Sequence, residues 1–235
     1  MIKILIPAAF FALLILSCKN ENNEAGADRT ASVVREDSVE MEKVDTVLNA
    51  ESFEFFNQSG FTDFARSKVD GFDWSKFKLV NVYKDDSLVT SPFNPDEQFY
   101  KIYEPFLKRS PDSSKLIDLD SYNIEIKKNS NGQLTGEEMG PDNEVSLIDL
   151  DDKKRKRLIF MGPGGSVEDG AWLDNETLIL VGVHENQDGK TKSAVVWKYH
   201  LPTSTFYLYE MPDPVSAEKL MGEWRAKRLK SVRIQ

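Results

Sequence analysis

Two stretches of this chain repeat one pattern: a short polar turn followed by an apolar strand. The first is Ser110-Pro111-Asp112-Ser113-Ser114-Lys115-Leu116-Ile117-Asp118-Leu119, and the second is Trp172-Leu173-Asp174-Asn175-Glu176-Thr177-Leu178-Ile179-Leu180. Asp112 corresponds to Asp174 and Leu116 to Leu178. A unit of this kind cannot bury both faces of its own sheet, so its recurrence implies sheets stacked on one another. Two hairpins of similar texture accompany the pair. One runs from Val145 to Leu150 and returns from Arg157 to Met161, with Asp151 to Lys156 read as its turn; the other runs from Ala194 to Leu201 and returns from Phe206 to Met211. Residues 110 to 211 are therefore expected to be mainly β.

The Ser110-Pro111-Asp112 turn before a strand resembles the signature of bacterial β-propeller blades, with Ser113 where that family usually has glycine. A propeller needs about four to eight blades, and residues 50–235 have room for about three or four at most. The resemblance thus implies propeller-like blades and not a closed ring. A two-sheet β-sandwich with short N-terminal helices and one C-terminal helix is the alternative.

Residues 1–17 read as a signal peptide: Lys3 precedes an apolar run from Ile4 to Leu16, too short to span a bilayer and interrupted by Pro7. Ile15-Leu16-Ser17-Cys18 resembles the lipobox of bacterial lipoproteins, and the resemblance implies cleavage before Cys18 and acylation of that cysteine, palmitate being a typical acyl group. Two or three acyl chains hold a protein firmly, because each buried methylene contributes about 0.8 kcal/mol. Cys18 is the only cysteine, so no disulfide or thiolate metal site can be built within one chain. By the same resemblance, Lys19 in place of aspartate implies the outer membrane. Lysine followed by Glu21 and Glu24 resembles the surface-export signal of Bacteroidota-type lipoproteins, with Asn20 interrupting the match.

Cleavage leaves residues 18–235 and changes the net charge from -9 to -10, since Lys3 is lost. Residues 18–49 carry no aromatic side chain; from Lys19 to Ala50 there are eight acidic and four basic groups. Such a segment cannot bury enough apolar surface to offset the entropy of ordering, and it reads as a tether, with a short helix through Met41, Val44, Val47 and Leu48. Acidity also argues against nucleic acid, whose phosphates require clustered Lys and Arg.

Residues 50–235 form the expected single domain. Phe53, Phe55, Phe56, Phe61, Phe64, Phe72, Trp74 and Phe77 arrive close together, at spacings that fit a core, with short helices broken at Gly60. Residues 77 to 83 read as a largely buried strand. Asn94-Pro95-Asp96-Glu97 reads as a helix start, with Asn94 as the cap, before Phe99, Ile102, Tyr103 and Phe106. Asp213 to Gln235 reads as helical, capped by Ser216 and packed by Leu220 and Trp224, with a basic docking helix as the other reading.

No catalytic motif occurs. Gly162-Pro163-Gly164-Gly165-Ser166 lacks the Lys-Ser or Lys-Thr ending of a phosphate loop and reads as a connection between blades. Lys127 stands where an EF-hand loop needs a carboxylate. Asn131-Gly132 and Asp188-Gly189 read as hairpin turns. His184 and His200 lack the spacing of a zinc helix, and Asp118 with Asp120, or Asp149 with Asp151 and Asp152, read as turn carboxylates before calcium ligands. The expectation is a non-catalytic envelope lipoprotein, held to the membrane by Cys18, without cofactor, and binding another envelope protein or an extracellular ligand. The rival expectation is a carboxylate- or metal-dependent hydrolase, which requires Asp118, Asp120, Asp169 and His184 to converge on one pocket.

Overall fold

The computed structural model describes residues 48–84, 89–212 and 217–234. Cys18, the readings of Met41, Val44 and Val47, and Ser216 as a cap lie outside these residues. Among the described residues the chain is mainly β, with three sheets, none closed into a barrel, and four α-helices. The helices are α1 (Glu51–Ser59), α2 (Phe61–Lys68), α3 (Glu97–Tyr103) and α4 (Glu223–Arg228). The strands are β1 (Lys78–Lys84), β2 (Thr90–Pro92), β3 (Lys108–Arg109), β4 (Lys115–Asp118), β5 (Ile124–Lys128), β6 (Leu134–Glu138), β7 (Asn143–Asp149), β8 (Lys154–Met161), β9 (Ser166–Trp172), β10 (Thr177–Glu185), β11 (Lys192–His200), β12 (Thr205–Glu210) and β13 (Val232–Ile234).

Sheet order shows what the repeat encodes. One five-stranded sheet runs β1-β12-β11-β10-β9 and the other β2-β8-β7-β4-β3. Each contains four strands in antiparallel succession, plus one strand from the segment before them, added beside the last: β1 on β12 and β2 on β8. The two repeat turns fall at the same place in the two sheets, between β3 and β4 and between β9 and β10. Asp112 Oδ1 accepts from the Ser114 amide at 3.0 Å, and Asp174 Oδ1 from the Glu176 and Thr177 amides at 2.8 and 2.7 Å. Ser113 holds a left-handed φ of 62°, the conformation for which glycine is usual at that position. The Ser110 hydroxyl, then the Ser114 amide and hydroxyl, stabilise the ionised Asp112 and lower its pKa to about 2.

The first sheet is buried on both faces. Alternation along β10 sends Leu178 and Leu180 towards the second sheet, where they meet Ile117, Val145 and Leu147, and sends Ile179, Val181 and Val183 to the helical side. There Phe56, Phe61, Phe72, Trp74 and Phe77 form an aromatic cluster, joined by Leu48, Leu220 and Trp224. The rings that arrive together in the sequence are thus core, and Leu220 and Trp224 pack into it. The glycine-rich run joins β8 to β9, carrying the chain from one sheet to the other. A Cβ at Gly165 would lie 2.5 Å from Met161 Sδ and 2.7 Å from the Val183 oxygen, so the crossing needs glycine.

The third sheet, β13-β6-β5, packs with α3 around Ile102, Phe106, Ile124, Ile126, Leu229 and Val232. Its hairpin is inserted between β4 and β7, turning at Asn131-Gly132 with Gly132 at φ 81°.

Four expectations are corrected. β1 exists but lies at a sheet edge, with Val80 and Val82 53% and 45% exposed; a bulge at Val80 breaks its alternation, so that Leu79 packs on the helical side and Tyr83 on the side of the second sheet. The cap of α3 is Asp96, whose Oδ1 accepts from the Phe99 amide at 2.7 Å, so Pro95 precedes the helix. Among its described residues the C-terminal segment is helical only through a turn at Ala217–Leu220 and the short α4; Val232–Ile234 then pair in parallel with β6. The β7–β8 turn is shorter than read: Lys154, Arg155 and Lys156 belong to β8, and Lys153 takes the turn with φ 52°.

Candidate functional site

Backbone register builds a cleft between the two large sheets at the end that carries the repeat turns. Across the second sheet one row of paired residues reads Lys108, Ile117, Leu147, Lys156, Thr90, and the row nearer the turns reads Lys115, Asp149, Lys154, Pro92. Residues two apart in a strand share a face. Ile117 and Leu147 lie in the buried cluster shared by the sheets, so both rows face the first sheet. The inner face thus changes from apolar to charged over its last two rows, and a cleft of about 500 Å³ opens there. Tyr199, Leu201, Pro202, Asn175 and Glu176 line it from the first sheet and its turns.

Within this cleft Lys156 stands at a position where alternation calls for an apolar residue. Its Nζ donates to the hydroxyl of buried Tyr199 at 2.9 Å and to Ser204 Oγ at 3.4 Å. The ammonium also lies 5.5 Å from the centre of the Tyr199 ring. An ammonium has three protons to donate. Among the described residues no carboxylate lies within ion-pair distance of Lys156 or of Lys115, whose Nζ donates to Ser114 Oγ at 3.1 Å. The cleft's acids are otherwise engaged. Asp149 Oδ1 accepts from the amides of Asp151 and Asp152, Asp152 pairs with Lys154 at 3.3 Å, and Glu176 is 4.0 Å from His200. Asn175 Oδ1 accepts from the Asp112 amide at 2.9 Å and ties the two repeat turns together beside the cleft.

The four groups required of a hydrolase do not share a pocket. His184 Nε2 pairs with Glu210 at 2.5 Å, and Asp118 pairs with Arg155 at 2.6 Å and accepts from Ser121. Asp120 holds Arg228 through two bonds of 2.8 and 3.1 Å. Asp169 accepts from Trp224 Nε1 at 3.0 Å and pairs with Lys108 at 3.2 Å. Asp120 and Asp169 thereby join the C-terminal segment to the sheets, apart from His184. Asp149, Asp151 and Asp152 stay in the β7–β8 turn, and no group of three His, Cys, Asp or Glu among the described residues is placed to hold a metal.

Beside Asp169, Glu168 is fully buried and accepts from Ser166 Oγ at 2.6 Å, the Gly222 amide at 2.7 Å and the Arg225 amide at 3.4 Å. Burial pushes its carboxyl up, against these hydrogen bonds and the Arg225 charge. A carboxyl raised in the fold contributes stability below the unfolded value of about 4.3 and loses that contribution as pH rises through its folded value. Glu168→Gln keeps an acceptor for Gly222 and removes the buried charge. Urea unfolding over a pH series is expected to show a flatter profile above about pH 4.3 for this variant, with stability near neutral pH retained or increased. Glu168→Ala leaves the two amides unpaired and is expected to cost about 2 kcal/mol.

No family model, no curated protein and no solved structure matches this chain.

Proposed function

We propose that the protein is a lipid-anchored, non-catalytic binding protein of the bacterial envelope, fixed to the outer membrane through Cys18 and taking its ligand in the cleft between the two large sheets. The observation that carries the binding half is Lys156, an unneutralised ammonium on the inner face of a sheet, where a purely structural sandwich would place an apolar side chain. The anchoring half rests on the resemblance of Ile15-Leu16-Ser17-Cys18 to a lipobox and on the polar stretch that follows. We read the two large sheets as two copies of one blade-like unit, packed as a sandwich. The helical layer over the outer face of the first sheet leaves that face closed to a further blade. An envelope protein partner remains compatible with this reading, since a tether of about thirty residues gives the domain reach from the bilayer.

The test is metabolic labelling with radioactive palmitate, followed by fractionation and in-cell crosslinking of the wild type and Cys18→Ala. The wild-type protein is expected to incorporate label and sediment with outer membranes. Cys18→Ala is expected to lose the label and the membrane association together. Label retained by Cys18→Ala, or an unlabelled wild type, overturns the anchor.

A further inference from the structure

We infer that the inner end of the cleft takes an oxyanion, the carboxylate or phosphate of a small organic ligand, with Lys156 and Lys115 as its cationic contacts and an apolar body lying over Leu147, Leu201 and Pro202. This rests on the reading of the cleft as a binding site and adds the chemistry of what enters it.

The argument begins from cost. Placing an ammonium on an inward-facing row removes part of its hydration, and a buried charge is tolerated only where partners replace the lost water. Lys156 has two hydroxyl partners, Tyr199 and Ser204, which stabilise an ammonium without neutralising it. The neighbouring acids are held elsewhere: Asp152 by Lys154, Asp149 by two turn amides, Glu176 beside His200. Three lysines, Lys115, Lys154 and Lys156, and three acids, Asp149, Asp152 and Glu176, line the cleft, so its charge balances as a whole; what stands without a carboxylate at ion-pair distance among the described residues is the ammonium of Lys156 at the inner end and that of Lys115 on the row nearer the turns. An oxyanion supplies the missing acceptor, and such charge-assisted bonds are about twice as strong as neutral ones. A second feature separates this end from a generic basic surface. The hydroxyl of fully buried Tyr199 and that of Ser204 fix the Lys156 ammonium in place and take two of its three protons, leaving the third for an oxygen seated in the cleft. Lys156 is flanked in its own row by apolar Leu147, and the facing wall is apolar at Leu201 and Pro202, which fits a ligand with a short hydrocarbon body and not a bare inorganic ion alone.

Ligand-observed NMR on the mature protein in detergent micelles tests this with three probes: butyrate, its uncharged isostere butyramide, and inorganic phosphate. Butyrate or phosphate is expected to bind, and butyramide at least about tenfold more weakly than butyrate, the fold-change that follows from losing one charge-assisted contact. The stronger of the two anions identifies the headgroup. Lys156→Met keeps the methylene packing and is expected to weaken anion binding by about tenfold or more, whereas Lys154→Met, in the same cleft but paired with Asp152, is expected to leave it within about threefold. Butyramide binding as well as butyrate, with Lys156→Met unchanged, overturns the oxyanion while leaving the cleft as a binding site. Absence of binding by all three probes overturns the oxyanion inference. The cleft reading itself fails separately if mass spectrometry of the protein purified from its own cells shows no co-purifying small molecule displaced by Leu147→Trp.

Discussion

Replacing Arg228 by methionine is expected to destabilise the domain by about 3–5 kcal/mol, the cost of leaving a buried partner charge alone. Arg228 holds Asp120 through both guanidinium arms, and Asp120 is only 1% exposed. Its Nε also donates to the Glu168 carbonyl at 2.9 Å. Burial works against the charge on Arg228, but Asp120, Asp169 and Glu168 surround it and outweigh that, raising its pKa above the ordinary arginine value. The residue lies 108 positions from Asp120 in sequence and joins α4 to the loop after β4 and to edge strand β9 in one step. Methionine fills the space but leaves the Asp120 carboxylate without its counter-ion. In urea the midpoint is expected to fall with little change in slope if the fold stays intact. Combining Arg228→Met with Asp120→Leu removes both charges, and much of the loss is expected to return, as buried pairs replaced together by apolar groups often show. Recovery in the double variant separates the orphaned charge from mere loss of packing.

Local signals in the sequence carried the features that depend on neighbours along the chain. The Asp112 and Asp174 turns, the two hairpins, the break at Gly60 and the aromatic core were legible because turn residues and alternation act over a few positions. Features set by distant pairing were not. β1 reads as a buried strand because Phe77, Leu79 and Tyr83 alternate with Val80 and Val82, and neither its edge position nor the bulge at Val80 is marked in the sequence. β13 pairs in parallel with the distant β6, and nothing in Val232-Arg233-Ile234 marks that partner. The cleft was hidden for a related reason. With Asp151 to Lys156 taken as a turn, Lys156 belongs to a loop, where a lysine needs no explanation. Once β8 begins at Lys154, Lys156 and Leu158 fall two apart in one strand, and a cation in line with Leu147 becomes an exception to the pattern. The signal that could have found it is the contrast between Lys156 and its strand neighbours, which needs the strand boundary to be right.

The same contrast explains why the apolar faces and the charged end do different work. The second sheet on one face of β10 and β11 and the helical layer on the other leave these strands little freedom to adjust, so the cleft's wall is backed by a packed core. The Tyr199 ring sits 4.4 Å from that of Phe206, and both are fully or almost fully buried, which fixes the hydroxyl that meets Lys156. An ammonium held in place by a core residue needs less ordering when ligand enters, and that lowers the entropic cost of association.

Behind that wall stands Trp74, whose replacement by alanine is expected to cost about 3–5 kcal/mol, comparable with the whole stability of many domains. The indole is 2% exposed and meets five phenylalanine rings: stacked on Phe53 and Phe56, each at 5.5 Å, edge-on to Phe72 at 5.0 Å, and tilted to Phe77 and Phe61 at 5.4 and 6.2 Å. Its Nε1 donates to Thr62 Oγ1 at 3.0 Å, so α2 is tied to the turn that precedes β1. Alanine would leave a cavity that the surrounding rings, held by one another, can fill only in part. Trp74→Phe keeps most of the ring contacts and loses the bond to Thr62, whose hydroxyl still donates to Asn57 at 2.7 Å, so its expected cost is about 1 kcal/mol. Thermal unfolding followed by near-ultraviolet circular dichroism measures both. Because Trp74 packs on the face of the first sheet opposite the cleft, the folded fraction of Trp74→Phe is expected to bind the probe anion with wild-type affinity. Loss of stability without loss of affinity in Trp74→Phe, set against loss of affinity in the folded fraction of Lys156→Met, would assign the two faces of one sheet to separate tasks.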